Sequence, residues 1–253
     1  MKLRNDSLQR ALIGFLLMTA GASIAQGNGG AASGAESADG PSPETLAACA
    51  TCHGASGEGD RTKAAPSLAG MPAWYLDKQA EAFIHGRRKA LKDEGGHGEE
   101  MVRLLKTMDR AELAKVARHY ASLEPIPIES EQGDAQRGGL LYRGRGACIN
   151  CHLQSGWGAQ RSGAPPITIL PDWYFIQQMR AFRQGERVVF GKGHGGGSYR
   201  EHAHGHSHTE EEILRCMIRA ASRFDDDDCR DVAAYLQVLA RKQELARKQG
   251  SAK

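Results

Sequence analysis

The sequence lacks three features that would place it in common classes of protein. Its 253 residues contain no β-type alternation of useful length, so a sheet is not indicated. Its 33 Lys and Arg residues are nearly balanced by 30 Asp and Glu residues, which gives no concentrated basic face for a nucleic acid. It also lacks a long apolar run at its N-terminus, because Ala11–Ala22 is too short to span a bilayer comfortably. The lack of β-type alternation predicts an all-α protein.

The first 25 residues have the organisation of a secretory signal peptide. Three basic residues precede the apolar run, and small residues follow it up to Ala25. We expect residues 1–25 to be a signal peptide cleaved after Ala25, which predicts a periplasmic protein; an uncleaved membrane anchor is the alternative. Residues 26–41 are mostly Gly, Ala and Ser and are expected to form a flexible leader.

Two short motifs carry the chemistry of the chain. Residues 49–53 and 148–152 both read Cys-x-x-Cys-His, the attachment signature of c-type haem. The two thiols form thioethers with the haem, and the His becomes the proximal iron ligand. A zinc clip or a redox dithiol would need four clustered ligands or a thioredoxin-like context, and the sequence has neither. We therefore predict two covalently attached haem c groups, bound by Cys49, Cys52, His53, Cys148, Cys151 and His152.

The two motifs belong to an internal repeat. They lie 99 residues apart, as do several prolines, aromatic residues and glycines around them. Further along, the offset becomes 116 residues, which places a 17-residue insertion between Gly185 and Met217. The expected division is a first domain at 42–124, a linker at 125–133, a second domain at 134–242 with a His-rich insertion at about 191–209, and a basic tail at 243–253.

Local signals predict the helices of the first half. Ser42 followed by Pro43 indicates a helix start that delivers Cys49. A second helix is expected from Pro72, and a loop is expected to lead to Met101. The last helix should begin at Asp109 with Glu112 as its capping box.

These residues resemble tandem class I cytochromes c, most closely the two-haem cytochrome c4 group. The resemblance covers about residues 42–242 and includes Pro-Ser-Leu-Ala-Gly at 66–70 and Val-Ala-Ala-Tyr-Leu at 232–236. It implies two haem domains packed about a pseudo-two-fold axis, with their propionate edges facing. The His-rich insertion departs from the pattern, and so does the shorter first helix of the first half, where Asp39 aligns with Gly138.

A one-electron carrier needs a second strong axial ligand on each iron. Met beside His raises the reduction potential, and we expect Met101 and Met217 to supply these ligands from loops. Met108 is the rival in the first half, but the equivalent Phe224 cannot bind iron. We also expect the backbone carbonyls of two prolines to hold the outward nitrogens of the proximal His residues. These are Pro66 and Pro165.

Two further groups of residues leave alternatives open. Cys216 and Cys229 either form a disulfide or remain two free thiols. The insertion could hold a divalent metal or be a solvated loop with incidental metal affinity. Its alternating histidines are His202, His204, His206 and His208.

Three functions remain in competition at this point. The leading hypothesis is a periplasmic carrier of single electrons between respiratory or dehydrogenase complexes and a terminal acceptor. The second is a two-haem peroxidase or sulfur-compound oxidoreductase, which Cys216 beside Met217 keeps open. The third is a redox subunit bound permanently to a larger enzyme.

Overall fold

The computed structural model describes residues 40–91, 95–127, 132–187 and 210–250. The predicted signal peptide, nearly all of the leader and the His-rich insertion lie outside the described residues. Asp39, which aligns with Gly138, lies outside them as well. In the described part of the chain, no helix is both long and apolar enough to cross a membrane.

The described residues are helical, as the sequence predicts. They contain no strand, and the only β-type pairings among them are the isolated bridges Asp60–Ala65 and Ala159–Ala164. The first half has α1 (Pro43–His53), α2 (Ala73–Ile84), α3 (His97–Thr107) and α4 (Arg110–Ser122). The second half has α5 (Ala135–Arg143), α6 (Ile149–His152), α7 (Asp172–Arg183), α8 (Glu210–Ala221) and α9 (Asp226–Gly250).

Helix α1 begins where the sequence predicts. The Ser42 hydroxyl accepts a hydrogen bond from the Thr45 amide at 3.1 Å, and proline occupies the first helical position. The expected capping box of α4 is half confirmed, because Asp109 accepts from the Glu112 amide at 2.8 Å. The Glu112 carboxylate instead accepts from the Ser42 amide at 2.6 Å, so it ties the start of α1 to α4.

The loops expected to carry the two methionines are helices, which corrects the sequence prediction. Met101 lies within α3 and Met217 within α8. The apolar residues of α8 explain this, since Leu214, Met217 and Ile218 recur at helical spacing and pack against the core of the second half. Packing of this apolar face against the core therefore favours a helix over an open loop around Met217.

The second half has the larger core. Aromatic residues of α7 and apolar residues of α9 meet there, and the fully buried Tyr142 of α5 packs among them. Helix α5 lies close against α9 because Gly138 has no side chain: a Cβ at this position would be 1.9 Å from the Asp231 carbonyl oxygen. Tyr142 adds to this contact, because the centroid of its ring lies 5.5 Å from that of Tyr235 in α9.

Ion pairs fix the start of α9 to its neighbours. Asp228, whose side chain is almost fully buried, pairs with Arg137 of α5 and with Arg145 in the turn after it. Asp226 pairs with Arg180 and Arg183 of α7. Helix α9 then continues through residues 243–250, which the sequence analysis assigned to a basic tail.

Candidate haem-binding sites

The two histidines of the haem motifs are buried and oriented in the same way. His53 Nδ1 lies 2.9 Å from the Pro66 carbonyl oxygen, and His152 Nδ1 lies 2.9 Å from that of Pro165. A carbonyl oxygen can only accept, so Nδ1 carries the proton and Nε2 keeps its lone pair. Burial lowers the pKa of both imidazoles, which the carbonyl contact only partly offsets. Each ring is therefore neutral and presents Nε2 as a metal ligand.

A glycine in each half brings the proline loop back to the haem motif. The Gly59 amide donates to the His53 carbonyl at 2.8 Å, and the Gly158 amide donates to the His152 carbonyl at 2.9 Å. Both glycines have positive φ, at 83° and 69°. A Cβ on Gly158 would be 2.1 Å from the Ala164 carbonyl oxygen, so the backbone approach requires glycine.

The four cysteines of the motifs are free and half-buried. Cys49 and Cys52 lie on α1, while Cys148 and Cys151 lie at and within α6. None of them forms a disulfide with another cysteine. Their thiols remain available for the thioether bonds that the motif predicts.

In the second half, the motif opens onto a cavity of about 600 Å³. This size is typical of a cofactor site. His152 lies on its wall together with Cys148, Cys151 and Pro165, and aromatic residues of α7 line another part. The buried neutral imidazole, the two thiols and the apolar walls fit a covalently bound haem.

Cys216 and Met217 both line this cavity from α8. Met217 is half-buried and packs against the core, whereas Cys216 is exposed, with its sulfur 3.4 Å from an Arg219 nitrogen. Cys229 is buried in the core on α9, and both thiols are free. The structure therefore has the two-thiol alternative rather than the disulfide.

Met101 and Met108, the two candidate ligands of the first half, are both half-buried and lie at different positions relative to α3. Met101 is inside α3, which packs against α2, and Met108 is the residue at the end of α3.

In the described residues, no group of three or more His, Cys, Asp and Glu side chains could hold a separate metal ion. The histidines proposed for such a site, His202, His204, His206 and His208, lie outside the described residues.

A cluster of polar residues that the sequence did not predict lies between the two halves. Arg88 and Arg187 are buried there, and each donates to both Gln79 and Gln178. Every member has its equivalent 99 residues away, so the residues belong to the internal repeat. Tyrosines complete the cluster, since Arg88 donates to Tyr174 and Arg187 is hydrogen-bonded to Tyr75.

Comparisons with known proteins identify the family of the chain. The sequence model of the family "Cytochrome c" matches residues 42–124. A cytochrome c4 of Pseudomonas aeruginosa is 32% identical over 238 residues, which are 92% of this chain and 100% of the relative. A thiosulfate dehydrogenase electron acceptor of Thiomonas intermedia is 31% identical over 156 residues, 57% of this chain and 67% of the relative.

A solved structure has the same fold. The cytochrome c4 of Acidithiobacillus ferrooxidans superposes with a TM-score of 0.56 at 23% identity, over 76% of this chain and 98% of that one. The two Cys-x-x-Cys-His motifs account for two covalently attached haem c groups. The chain belongs to the cytochrome c4 family of two-haem c-type cytochromes.

Proposed function

We propose that the chain is a periplasmic carrier of single electrons in which Met101 and Met217 complete the coordination of the two irons. The observation that carries the proposal is the shared cavity of the second half. His152 and Met217 line the same space, and they come from different helices, α6 and α8. When bound there, the haem supplies an iron that takes up and releases one electron.

Helix register favours Met217 over Cys216 as the ligand. Met217 shares a face with Leu214 and Ile218, which pack against the core, so its thioether is held by the same contacts that hold α8. Cys216 is one residue, or about 100°, away around the helix and is exposed. A thioether ligand also suits a carrier, because it favours ferrous iron and leaves no open position for a substrate.

The first half offers an equivalent arrangement of residues. His53 is buried and hydrogen-bonded like His152, and Met101 lies 116 residues before Met217. Met101 is half-buried on α3, which packs against α2. We therefore assign Met101 to the first iron by analogy with Met217.

The proposed partners are redox proteins. An N-terminal segment with the organisation of a signal peptide supports a periplasmic location, where respiratory and dehydrogenase complexes exchange electrons. The similarity to a thiosulfate dehydrogenase electron acceptor supports a sulfur-oxidising dehydrogenase as one donor. The acceptor would be a terminal oxidase or reductase.

The proposal is tested by changing the two neighbouring residues of α8 separately. Met217→Ala should remove half of the weak long-wavelength charge-transfer band of Met-ligated ferric haem, lower one reduction potential and allow cyanide to bind one haem. Cys216→Ser is the matched control and should leave the band, the potentials and the cyanide response unchanged. The measurement is an absorbance titration of the ferric holoprotein, combined with spectroelectrochemistry.

A second candidate function rests on the position of Cys216. Its thiol lines the cavity of the second haem and is exposed, so it is accessible to a small sulfur compound. If Cys216→Ser alters the second haem and Met217→Ala does not, the carrier assignment fails for that site. The chain would then be a sulfur-compound oxidoreductase with thiolate chemistry at its second haem.

A further inference from the structure

The cluster between the halves contains two buried positive charges that share the same partners. The Gln79 carbonyl oxygen accepts from Arg88 at 2.6 Å and from Arg187 at 3.1 Å. The Gln178 carbonyl oxygen accepts from Arg88 at 3.0 Å and from Arg187 at 2.5 Å. The four side chains thus form a closed ring in which arginine and glutamine alternate. We call it the interface ring.

The interface ring lacks a negative charge among the described residues. Arg88 and Arg187 are 6% and 8% exposed, and the described part of the chain places no carboxylate in an ion pair with either one. Their neighbours carry no carboxylate: they are two glutamines, two tyrosines, and the rings of Phe83 and Phe182, each with a guanidinium 4.5 Å from its centroid.

Two like charges buried together are unfavourable without a counter-ion. Burial lowers the pKa of Arg187, and the nearby charge of Arg88 lowers it further. A guanidinium nevertheless keeps its proton in proteins, so the charge has to be balanced by an anion. Arg88 can donate a further hydrogen bond to such an anion, since its buried Nε has no hydrogen-bond partner.

The haem cavity of the second half reaches this ring. Arg187 and Gln178 line the cavity, and so do Tyr75 and Gln79, which belong to the first half. The carboxylates of a haem are its two propionates, and a planar guanidinium is the side chain best suited to bind them. We propose that the interface ring binds one propionate of each haem, with Arg187 serving the second haem and Arg88 the first.

This arrangement would link the two haems electrostatically. Each arginine donates to the glutamine of its own half and to that of the other half, so loss of one guanidinium disturbs the partners of both. A positive charge held next to a haem also favours ferrous over ferric iron. The ring should therefore raise both reduction potentials, and a change at either arginine should affect both haems.

The inference rests on the two haems of the proposed function but not on their methionine ligands. The test is a spectroelectrochemical titration of the holoprotein carrying Arg187→Gln. We expect both reduction potentials to fall. For the second haem, the ratio of oxidised to reduced haem at a fixed potential should change on the order of tenfold, which corresponds to a fall of 59 mV for a one-electron couple. Arg187→Lys retains the charge and should recover most of the shift.

Lys89→Gln is the matched control, because Lys89 is exposed and the change removes the same charge one residue after Arg88. Its potentials should match those of the unchanged protein. The Met-ligation band should persist in all three variants, so a failure of the carrier proposal would be seen separately. If Arg187→Gln shifts neither potential more than Lys89→Gln does, the interface ring does not bind propionates.

A measurement on the unchanged holoprotein keeps the inference testable if the arginine variants do not fold. Resonance Raman spectra report the bending of the propionate groups, and this band is sensitive to hydrogen bonding. We expect one strongly hydrogen-bonded propionate for each haem. Spectra in which all propionates behave as solvent-exposed carboxylates would overturn the inference.

Discussion

The close contact of α5 with α9 leads to a quantitative prediction about Gly138. In Gly138→Ala the new Cβ would lie 1.9 Å from the Asp231 carbonyl oxygen, where an ordinary C···O contact is about 3.3 Å. The two helices would have to move apart by about 1.4 Å, because the obstructing atoms belong to the backbone of Asp231 and Val232 and cannot turn aside. Overpacking of this kind costs about 1–3 kcal/mol, and the better helix propensity of Ala returns about 0.5–1 kcal/mol. Taking the middle of each range, we expect a net loss of about 1 kcal/mol in the free energy of unfolding.

The neighbouring glycine provides the control. A Cβ on Gly139 would be 3.0 Å from a side-chain atom of Tyr235, which can move aside. Gly139→Ala should therefore leave the free energy of unfolding nearly unchanged or slightly increased. The assay is urea denaturation of the holoprotein, followed through helical circular dichroism. Equal stability of the two variants would refute the argument, because it would mean that α5 does not rest on the α9 backbone.

Two further predictions concern acid stability and thiol reactivity. Hydrogen bonds from Arg180 and Arg183 lower the pKa of Asp226 from its ordinary 3.8 to about 2, so this carboxylate stabilises the fold above about pH 4, and the contribution is lost as pH falls through about 2. Asp226→Asn should cost about 1 kcal/mol at pH 7, after allowance for solvent screening, and little at pH 2; equal losses in urea titrations at both pH values would contradict this. Burial raises the pKa of Cys229 to about 11, so a thiol reagent should label only Cys216 in the folded holoprotein and both thiols after unfolding without reductant. No labelling after unfolding would reveal a disulfide.

Much of the fold could be predicted from the sequence because the signals are local. Ser42 and Pro43 determine the start of α1 within a few residues, and the haem motif requires only five consecutive residues. The hydrogen bond from each proximal His to a proline carbonyl could be predicted for the same reason, since the two residues are 13 apart.

The rest depends on contacts between distant residues. Met101 and Met217 were expected on loops, but they lie on the helices α3 and α8. These segments are helical because their apolar faces pack against neighbouring elements. The interface ring pairs residues up to 108 positions apart in the sequence. The residues around Arg88 give no local signal that it contacts the other half. A repeated polar residue is as readily explained by a solvated surface as by a buried interface.

The symmetry of the interface ring has a consequence for dilute solutions. Because Arg88 contacts Gln178 as Arg187 contacts Gln79, this is the self-complementary geometry by which two identical subunits form a dimer. Joining the two copies in one polypeptide makes that association intramolecular, so it no longer depends on protein concentration. Two separate one-haem proteins would part on dilution, whereas here electron exchange between the haems remains available to every molecule on its own.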